Sequence, residues 1–239
     1  MLEPHAAAGI ALAVSAATVG GLCFFVVRRK PHGVRSEKEL VAALGSPLVA
    51  ARPLAIETLA EQLAAHWFRR GRPVLAVVSA EEGGARVRVA AELARAFAGA
   101  GERTLLIDAD FRSPALHRAF GLENRAGLAA FLEGQALVVA HCAHNLSVLV
   151  AGRSPAEPLE LLSRACLRDF LAAAARRYSV VLVNTAPAAR GPDLQLPAAF
   201  AGGALVVTRF RAAVPPLERL RDLLSFCRAR VVGAVLSPT

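Results

Sequence analysis

The sequence predicts an α/β domain with a parallel sheet and helices on both of its faces, preceded by one transmembrane helix. Short segments that are apolar throughout, such as Val74–Val78, alternate with longer segments of helical periodicity. Strands without polar alternation are buried on both faces, which is typical of parallel sheets covered by helices. A separate uncharged run, Ala6–Val27, predicts the membrane helix. The expected parts are an anchor (1–30), a juxtamembrane linker with helices (31–72) and a sheet domain (73–239).

The run Ala6–Val27 is long enough to cross a membrane. As a helix it would measure about 33 Å, against about 30 Å for the hydrocarbon core of a bilayer. A basic run (28–30) follows it, whereas only Glu3 and His5 precede it as titratable side chains. A cleaved signal peptide carries its positive charge before the apolar run. We therefore expect an uncleaved anchor with the N-terminus outside the cytoplasm, and a buried core helix is the alternative.

The charge distribution narrows the classes of partner. The net charge is +9, and basic residues outnumber acidic ones over 28–72, which suits an anionic membrane surface. Ordinary solvated helix faces are the alternative. Basic and aromatic residues are not interleaved, so we expect no nucleic-acid partner. The cluster His-Cys-Ala-His (141–144) lacks a second pair of ligands, so we expect a loop or core there and no metal site.

The first predicted elements precede the sheet domain. Ser36 and Glu39 form a capping-box pair that opens a short helix, which Gly45 ends. A brief extended stretch is expected at 47–51, and a helix over 54–70. Further strands are expected at 104–107, 147–150, 180–183, 205–207 and 231–235, and further helices at 85–98, 158–176 and 216–228.

Three polar segments fall at the carboxyl edge of this sheet, where ligands of open α/β sheets bind. They are 79–88, which contains the glycine pair Gly83-Gly84, then 108–114 and 184–187. A phosphate site needs backbone N–H groups at a helix N-terminus and a fixed cation. It also needs an acid and a hydroxyl for Mg²⁺. The layout is that of a P-loop nucleotide-binding domain, although a glycine pair alone also fits an ordinary turn.

Together these segments resemble the cytoplasmic domain of the bacterial tyrosine kinases that regulate capsular and exopolysaccharide chain length and export. That family is related to the deviant Walker ATPases such as MinD and ParA. The stretch 105–114 looks like the second acidic motif of the family, and 145–152 and 231–236 continue the likeness in order. The resemblance implies ATP and Mg²⁺ as cofactors. It also implies a bacterial inner-membrane location with a periplasmic N-terminus, polysaccharide assembly or export proteins as partners, and a homo- or hetero-oligomer.

The departures from the family pattern affect the residues that would bind the phosphates and Mg²⁺. No lysine follows Lys38. In the family, a Gly-Lys-Ser/Thr run would occupy the places of Ala85, Arg86 and Val87. Ala85 adds a Cβ atom to the loop, Arg86 puts a wide guanidinium in place of a compact ammonium, and Val87 has no hydroxyl. Arg86 has a second interpretation as a solvated helix charge. Asn184 stands where the family has its Walker B aspartate. The degenerate nucleotide site expected from the resemblance comprises Gly83, Gly84, Ala85, Arg86, Val87, Arg112 and Asn184.

Two acidic residues of the family pattern are retained. By resemblance, Asp108 and Asp110 would serve Mg²⁺ and proton abstraction from a tyrosine hydroxyl, and we expect these roles to be vestigial. The alternative role is capping of the strand end and pairing with Arg112. The tyrosine cluster of the family is missing, since Tyr178 is the only tyrosine. An oligomerisation pattern that would begin near Glu57 lacks its arginines.

These residues predict a membrane-anchored, catalytically degenerate kinase-like protein that is a scaffold or regulator in exopolysaccharide assembly. No bound cofactor is then expected. A second hypothesis is an active tyrosine kinase or ATPase that binds ATP and Mg²⁺ through Arg86, Asp108 and Asp110. A third is a membrane-surface adaptor similar to MinD.

Overall fold

A computed structural model describes residues 33–45, 49–51 and 56–237. They form an eight-stranded sheet in the order β1-β8-β7-β2-β6-β3-β5-β4. Neighbouring strands are parallel except β4 and β5, which are antiparallel. The predicted parallel sheet is confirmed, with one antiparallel strand at its edge. The strands are β1 Val49–Ala51, β2 Val74–Val78, β3 Thr104–Ala109, β4 Ala140–Ala143, β5 Leu146–Leu149, β6 Val180–Thr185, β7 Gly203–Arg209 and β8 Arg230–Ser237.

The helices lie on both faces of the sheet, as the sequence predicts. They are α1 Glu37–Leu44, α2 Ile56–His66, α3 Ala85–Gly99, α4 Leu116–Ala119, α5 Leu128–Leu132, α6 Pro158–Ser163, α7 Ala165–Arg177, α8 Gln195–Ala201 and α9 Val214–Phe226. Short 3-10 turns cover Phe68–Arg70, Ala188–Arg190 and Pro192–Leu194.

Alternate residues of the central strands supply the two sides of the core. Leu75 and Val77 of β2 pack with α2 and α3 on one face. Ala76 and Val78 pack with α1, α8 and α9 on the other face, where α5, α6 and α7 cover the strands nearer β4. Asp108 of β3, Asn184 of β6 and Thr208 of β7 are polar residues near the carboxyl ends of these strands.

Local signals fix the first helix as expected. The Ser36 Oγ atom accepts a hydrogen bond from the Glu39 amide at 3.3 Å, and Gly45 ends α1 in the left-handed region at φ +65°. The Glu39 carboxylate caps the preceding turn by accepting from the Arg35 amide at 2.6 Å.

Several element boundaries differ from the prediction. The predicted helix over 158–176 is two helices, α6 and α7, because Arg164 adopts an extended conformation between them. The predicted helix over 54–70 ends at His66, and a 3-10 turn follows. The strand β4 and the helix α8 were not predicted as regular structure.

The predicted anchor over 6–27 lies outside the described residues. Among the described helices, none combines the length and the apolar character that crossing a membrane requires. The division of the chain at residues 30 and 72 stays a prediction. Within the described part, β1 is an edge strand of the sheet and α1 packs beside α9.

Candidate functional site

The three polar segments predicted at the carboxyl edge do come together. Asp108 of β3 and Asn184 of β6 are register partners on adjacent parallel strands, and Asn184 also pairs with Val77 of β2. The loop after β2 leads into α3, which begins at Ala85. Parallel strands place their carboxyl ends at one edge, so the end of β3, the end of β6 and the first turn of α3 converge there.

Arg86 occupies the centre of this convergence. Its side chain points inward and is 4% exposed. The Arg86 Nη2 atom donates to the Asp110 Oδ2 atom at 2.8 Å, and Nη1 donates to the Asn184 Oδ1 atom at 2.5 Å and to the backbone carbonyl of Thr185. The Arg86 Nε atom has no hydrogen-bond partner within the described part of the chain. The guanidinium therefore joins α3 to the ends of β3 and β6.

Asn184 carries the network from Arg86 to a second carboxylate. Its Nδ2 atom donates to the Asp108 Oδ1 atom at 2.8 Å. Asp108 also accepts backbone N–H groups of Asp110, Ala115 and Leu116 at 3.1–3.2 Å. Asp108 is thus held by four donors, and the neutral amide of Asn184 bridges it to the cation without adding a negative charge.

Burial opposes ionisation at both ends of this network. Burial raises the pKa of Asp108, and the donors from Asn184 and the backbone act in the opposite direction. Burial lowers the pKa of Arg86, whereas the neighbouring Asp110 carboxylate raises it. The hydrogen bonds that favour the charged forms are therefore necessary parts of the site.

Two interpretations made from the sequence are wrong. Arg86 is not a solvated helix charge, because acceptors from β3 and β6 draw its guanidinium inward. Arg112 does not pair with Asp108 or Asp110. It reaches the buried Asp193 instead, with Nε–Oδ2 and Nη2–Oδ1 distances of 2.5 and 3.1 Å. The expected capping of the strand end by both aspartates is confirmed, since Asp110 also accepts the Ser113 amide at 3.0 Å.

The two acidic residues of the glycine loop form ion pairs with arginines from other segments. Glu82 makes a bidentate pair with Arg190 at 2.8 Å, and Glu81 pairs with Arg209 at 2.7 Å. Gly83 has φ +143°, which favours glycine. The cavity between this loop and β7 has a volume of about 20 Å³, about enough for one water molecule. Both glutamates of the loop are thus paired with arginines from other segments of the chain.

These residues do not fit Mg²⁺ and a nucleoside triphosphate. Val87 offers no hydroxyl for the metal, and Asn184 already uses its amide oxygen and nitrogen within the chain. Arg86, in the first turn of α3 after the loop, is held by internal acceptors. A pocket of about 410 Å³ adjoins the glycine loop and the first turn of α3, and its lining includes Gly83, Gly84, Arg86, Val87 and Asp110.

Sequence reasoning missed several residues of the site. Glu82, Arg190 and Arg209 belong to no phosphate-site pattern, and Thr185 contributes a backbone carbonyl that residue type does not reveal. His141 and Cys142 lie in β4, where the Nδ1 atom of His141 is 3.2 Å from the Ser147 Oγ atom. Within the described ranges, no three side chains of metal-binding type cluster.

Comparisons with known proteins place this geometry in a family. The chain is 32% identical to the tyrosine-protein kinase YwqD of Bacillus subtilis over 166 residues, which cover 67% of this chain and 70% of the relative. It is 30% identical to the tyrosine-protein kinase Wzc of Salmonella typhimurium over 196 residues, which cover 80% of this chain and 27% of that relative. Against the putative tyrosine-protein kinase EpsB of Ralstonia nicotianae, the match spans 20% of the relative. No protein-family profile matches.

Solved structures give the same fold. The kinase domain of the Escherichia coli tyrosine kinase ETK superposes with a TM-score of 0.81 at 22% identity, over 87% of this chain and 95% of that domain. The kinase domain of VpsO gives 0.70 at 28% identity, over 84% and 96%. The cell-division ATPase MinD of Pyrococcus furiosus gives 0.59 at 20% identity, over 69% and 71%, which is a likeness of fold.

Proposed function

The chain belongs to the family of bacterial tyrosine-protein kinases, and on that premise we propose that it is a membrane-anchored member without catalytic chemistry. It is a scaffold or regulator in exopolysaccharide or capsule biosynthesis and export. Its partners are polysaccharide assembly or export proteins, in a homo- or hetero-oligomer. The anchor over 6–27 holds it in the bacterial inner membrane, with the N-terminus in the periplasm and the rest of the chain in the cytoplasm.

The observation that carries this proposal is the internal pairing of Arg86. A P-loop lysine is useful because its ammonium is free to bind the β- and γ-phosphates. Arg86 instead bonds to Asp110, Asn184 and the Thr185 carbonyl. Releasing it to a phosphate would leave a buried carboxylate without its cation, at a cost of about 3–5 kcal/mol. That cost opposes nucleotide binding.

The ion pairs of the loop support the same conclusion. Arg190 and Arg209 lie beside the loop, and each is engaged by one of the loop's two glutamates. A phosphate would have to compete with those glutamates for either arginine.

Isothermal titration of the purified full chain in detergent with Mg-ATP tests the proposal. We expect no binding in the micromolar range. The matched control is the combined variant Ala85→Gly, Arg86→Lys, Val87→Thr and Asn184→Asp, which restores the family pattern and should gain affinity. Micromolar binding by the unmodified chain would overturn the proposal.

An active kinase or ATPase is the second candidate, because Asp108 and Asp110 retain their carboxylates at the strand end. Transfer of radiolabelled phosphate from ATP separates the two candidates. The assay compares the unmodified chain with Asp108→Ala. Turnover that disappears in Asp108→Ala would establish the enzyme, and no turnover above that of the variant would exclude it.

A further inference from the structure

The edge of the sheet opposite the glycine loop carries a concentrated positive charge. The parallel strands β8, β7, β2, β6 and β3 are consecutive in the sheet, and all of them begin at this amino edge. The segments that lead into or open β2, β3, β6 and β8 are 69–73, 100–103, 176–179 and 227–230. They contain eight arginines and one acidic residue, Glu102. The chain has a net charge of +9, so these short segments hold most of its excess.

Backbone hydrogen bonds join these segments into one continuous surface. The carbonyl of Pro73 accepts from the Val181 amide at 2.7 Å, and the carbonyl of Arg103 accepts from the Ser179 amide at 2.9 Å. Adjacent strands are about 4.8 Å apart, so the distance across the starts of β8, β7, β2, β6 and β3 is about 19 Å. An extended chain covers that length with about six residues.

The eight arginines of this surface are exposed and have no internal counter-charge. None of them forms an ion pair within the ranges that the structure describes. At the opposite edge, by contrast, Arg86, Arg112, Arg190 and Arg209 all pair with carboxylates. The fold therefore neutralises arginines at the carboxyl edge and leaves those at the amino edge open to an external anion.

An aromatic side chain lies next to these arginines in the chain. Phe226 ends α9, four residues before Arg230 opens β8, and it is 84% exposed. No other large hydrophobic side chain in the described part of the chain is as exposed. Arginine and aromatic residues are the types that are enriched where proteins contact one another. A ligand for this surface should therefore combine negative charge with an apolar residue.

We propose that the amino edge, comprising the four basic segments and Phe226, binds an acidic segment of another protein. About six residues of that segment span the edge in extended form, with carboxylates for the arginines and an apolar residue for Phe226. The length of β6, about 20 Å, separates this surface from the candidate nucleotide site. The charge of the edge is therefore independent of whether that site is active.

The choice of a protein over an anionic lipid surface rests on the membrane anchor of the proposed function. Gly33 forms a bridge with Ala213, which follows the carboxyl end of β7, and the Val34 amide donates to the Ala212 carbonyl at 2.8 Å. The anchor ends at residue 27, so at most about 21 Å of extended chain connects it to Gly33. This short connection to the bilayer leaves from the carboxyl edge, and the amino edge then faces the cytoplasm.

Fluorescence anisotropy of a labelled peptide tests the proposal. The probe has about eight glutamates around one leucine, enough to span the edge, and the protein is the full chain in a non-ionic detergent. We expect binding that weakens between about 50 mM and 500 mM salt. Arg177→Glu with Arg230→Glu should weaken it about tenfold or more. The matched control is Arg118→Glu with Arg153→Glu, at exposed positions after β3 and β5. It makes the same change in net charge and should leave the affinity within about twofold.

Phe226→Ser separates the apolar contact from the charge. It should weaken binding of the leucine-containing peptide about threefold and leave binding of a peptide of glutamates alone unchanged. Circular dichroism of each variant checks that the fold is retained, and Arg177→Gln with Arg230→Gln replaces a charge reversal that unfolds. The proposal is overturned if the unmodified chain does not bind the peptide at about 50 mM salt. It is also overturned if the two charge-reversed pairs weaken binding equally.

Two further probes distinguish the other anions. The full chain is placed in nanodiscs of phosphatidylcholine with and without phosphatidylglycerol, and equal peptide affinity in both supports a protein partner. A loss of affinity in the anionic discs that Arg177→Glu with Arg230→Glu abolishes would assign the edge to lipid. A duplex oligonucleotide that binds more tightly than the peptide through the same two arginines would assign it to nucleic acid. Either result overturns the proposal and leaves the titration with Mg-ATP unaffected.

Discussion

Two sets of arginine–carboxylate pairs surround the same strand ends, and they differ in burial. Arg86 and Asp110 are 4% and 1% exposed, whereas Arg190 and Glu82 are 31% and 56% exposed. Both contacts measure 2.8 Å. The distance alone therefore does not distinguish a pair that the fold requires from one that water can replace.

The buried set works as a unit because of the neutral residue within it. Arg86 reaches Asp110 directly and Asp108 through Asn184, so one cation is shared by two carboxylates. An aspartate at position 184 would place a third carboxylate beside that single cation. A neutral residue at position 184 thus suits the single cation at position 86, which explains physically why the two departures from the family pattern occur together.

Removal of the Arg86 charge should have the largest effect. Arg86→Met keeps much of the side-chain volume but leaves Asp110 and Asn184 without their donor. We expect a loss of about 3–5 kcal/mol in the free energy of unfolding. Trp67 is the only tryptophan and is buried in the core, so its fluorescence during urea unfolding reports the change. The control is Arg219→Met on the exposed face of α9. A loss below about 1 kcal/mol for Arg86→Met would contradict the role assigned to the network.

Asn184→Asp should have an intermediate effect that depends on pH. The substitution replaces the donor to Asp108 with a carboxylate, which raises the pKa of Asp108 further above its ordinary value. A carboxyl group whose pKa is higher in the folded state than in the unfolded state lowers the free energy of unfolding when it ionises. That loss begins above the pKa of the unfolded state and is complete above the pKa of the folded state.

The difference in unfolding free energy between Asn184→Asp and the unmodified chain should therefore grow from pH 4 towards pH 7. Urea titrations that follow Trp67 fluorescence at several pH values measure it. The control is the isosteric Asn184→Leu, which also loses the hydrogen bonds of Asn184 but adds no titratable group. It therefore measures the effect of the lost hydrogen bonds without that of the added charge. A difference for Asn184→Asp that is constant with pH would contradict the shared-cation account.

The place of the site was predictable, whereas its internal pairing was not. Apolar strands and a parallel sheet are enough to bring 79–88, 108–114 and 184–187 to one edge. The inward turn of Arg86 depends on Asn184, 98 residues further along the chain, and on a backbone carbonyl. Residue types at one position give no sign of either acceptor.

The error over Arg112 has the same origin. Asp108 and Asp110 are close to Arg112 in the sequence, but the side chain extends to Asp193, 81 residues away. Likewise β4 was missed because His141 and Cys142 do not show the apolar run of a buried strand, and an edge strand does not need one. Local patterns predicted the central elements, and contacts between distant segments decided the rest.

The exposed pairs should have the smallest effect. Arg190→Ala removes the partner of Glu82, and water can solvate both groups. The pKa of Glu82 is lowered by its hydrogen bonds to Arg190, so the stabilisation is present above the ordinary value of 4.5 and is lost as pH falls through the lowered value. Thermal unfolding should show a small deficit for Arg190→Ala at neutral pH and low salt. That deficit should vanish at acidic pH and at about 0.5 M salt, where screening is strong.

Glu82→Gln is the matched control and should reproduce the deficit. A deficit for Arg190→Ala as large as that for Arg86→Met would mean that burial is not what separates the two sets of pairs.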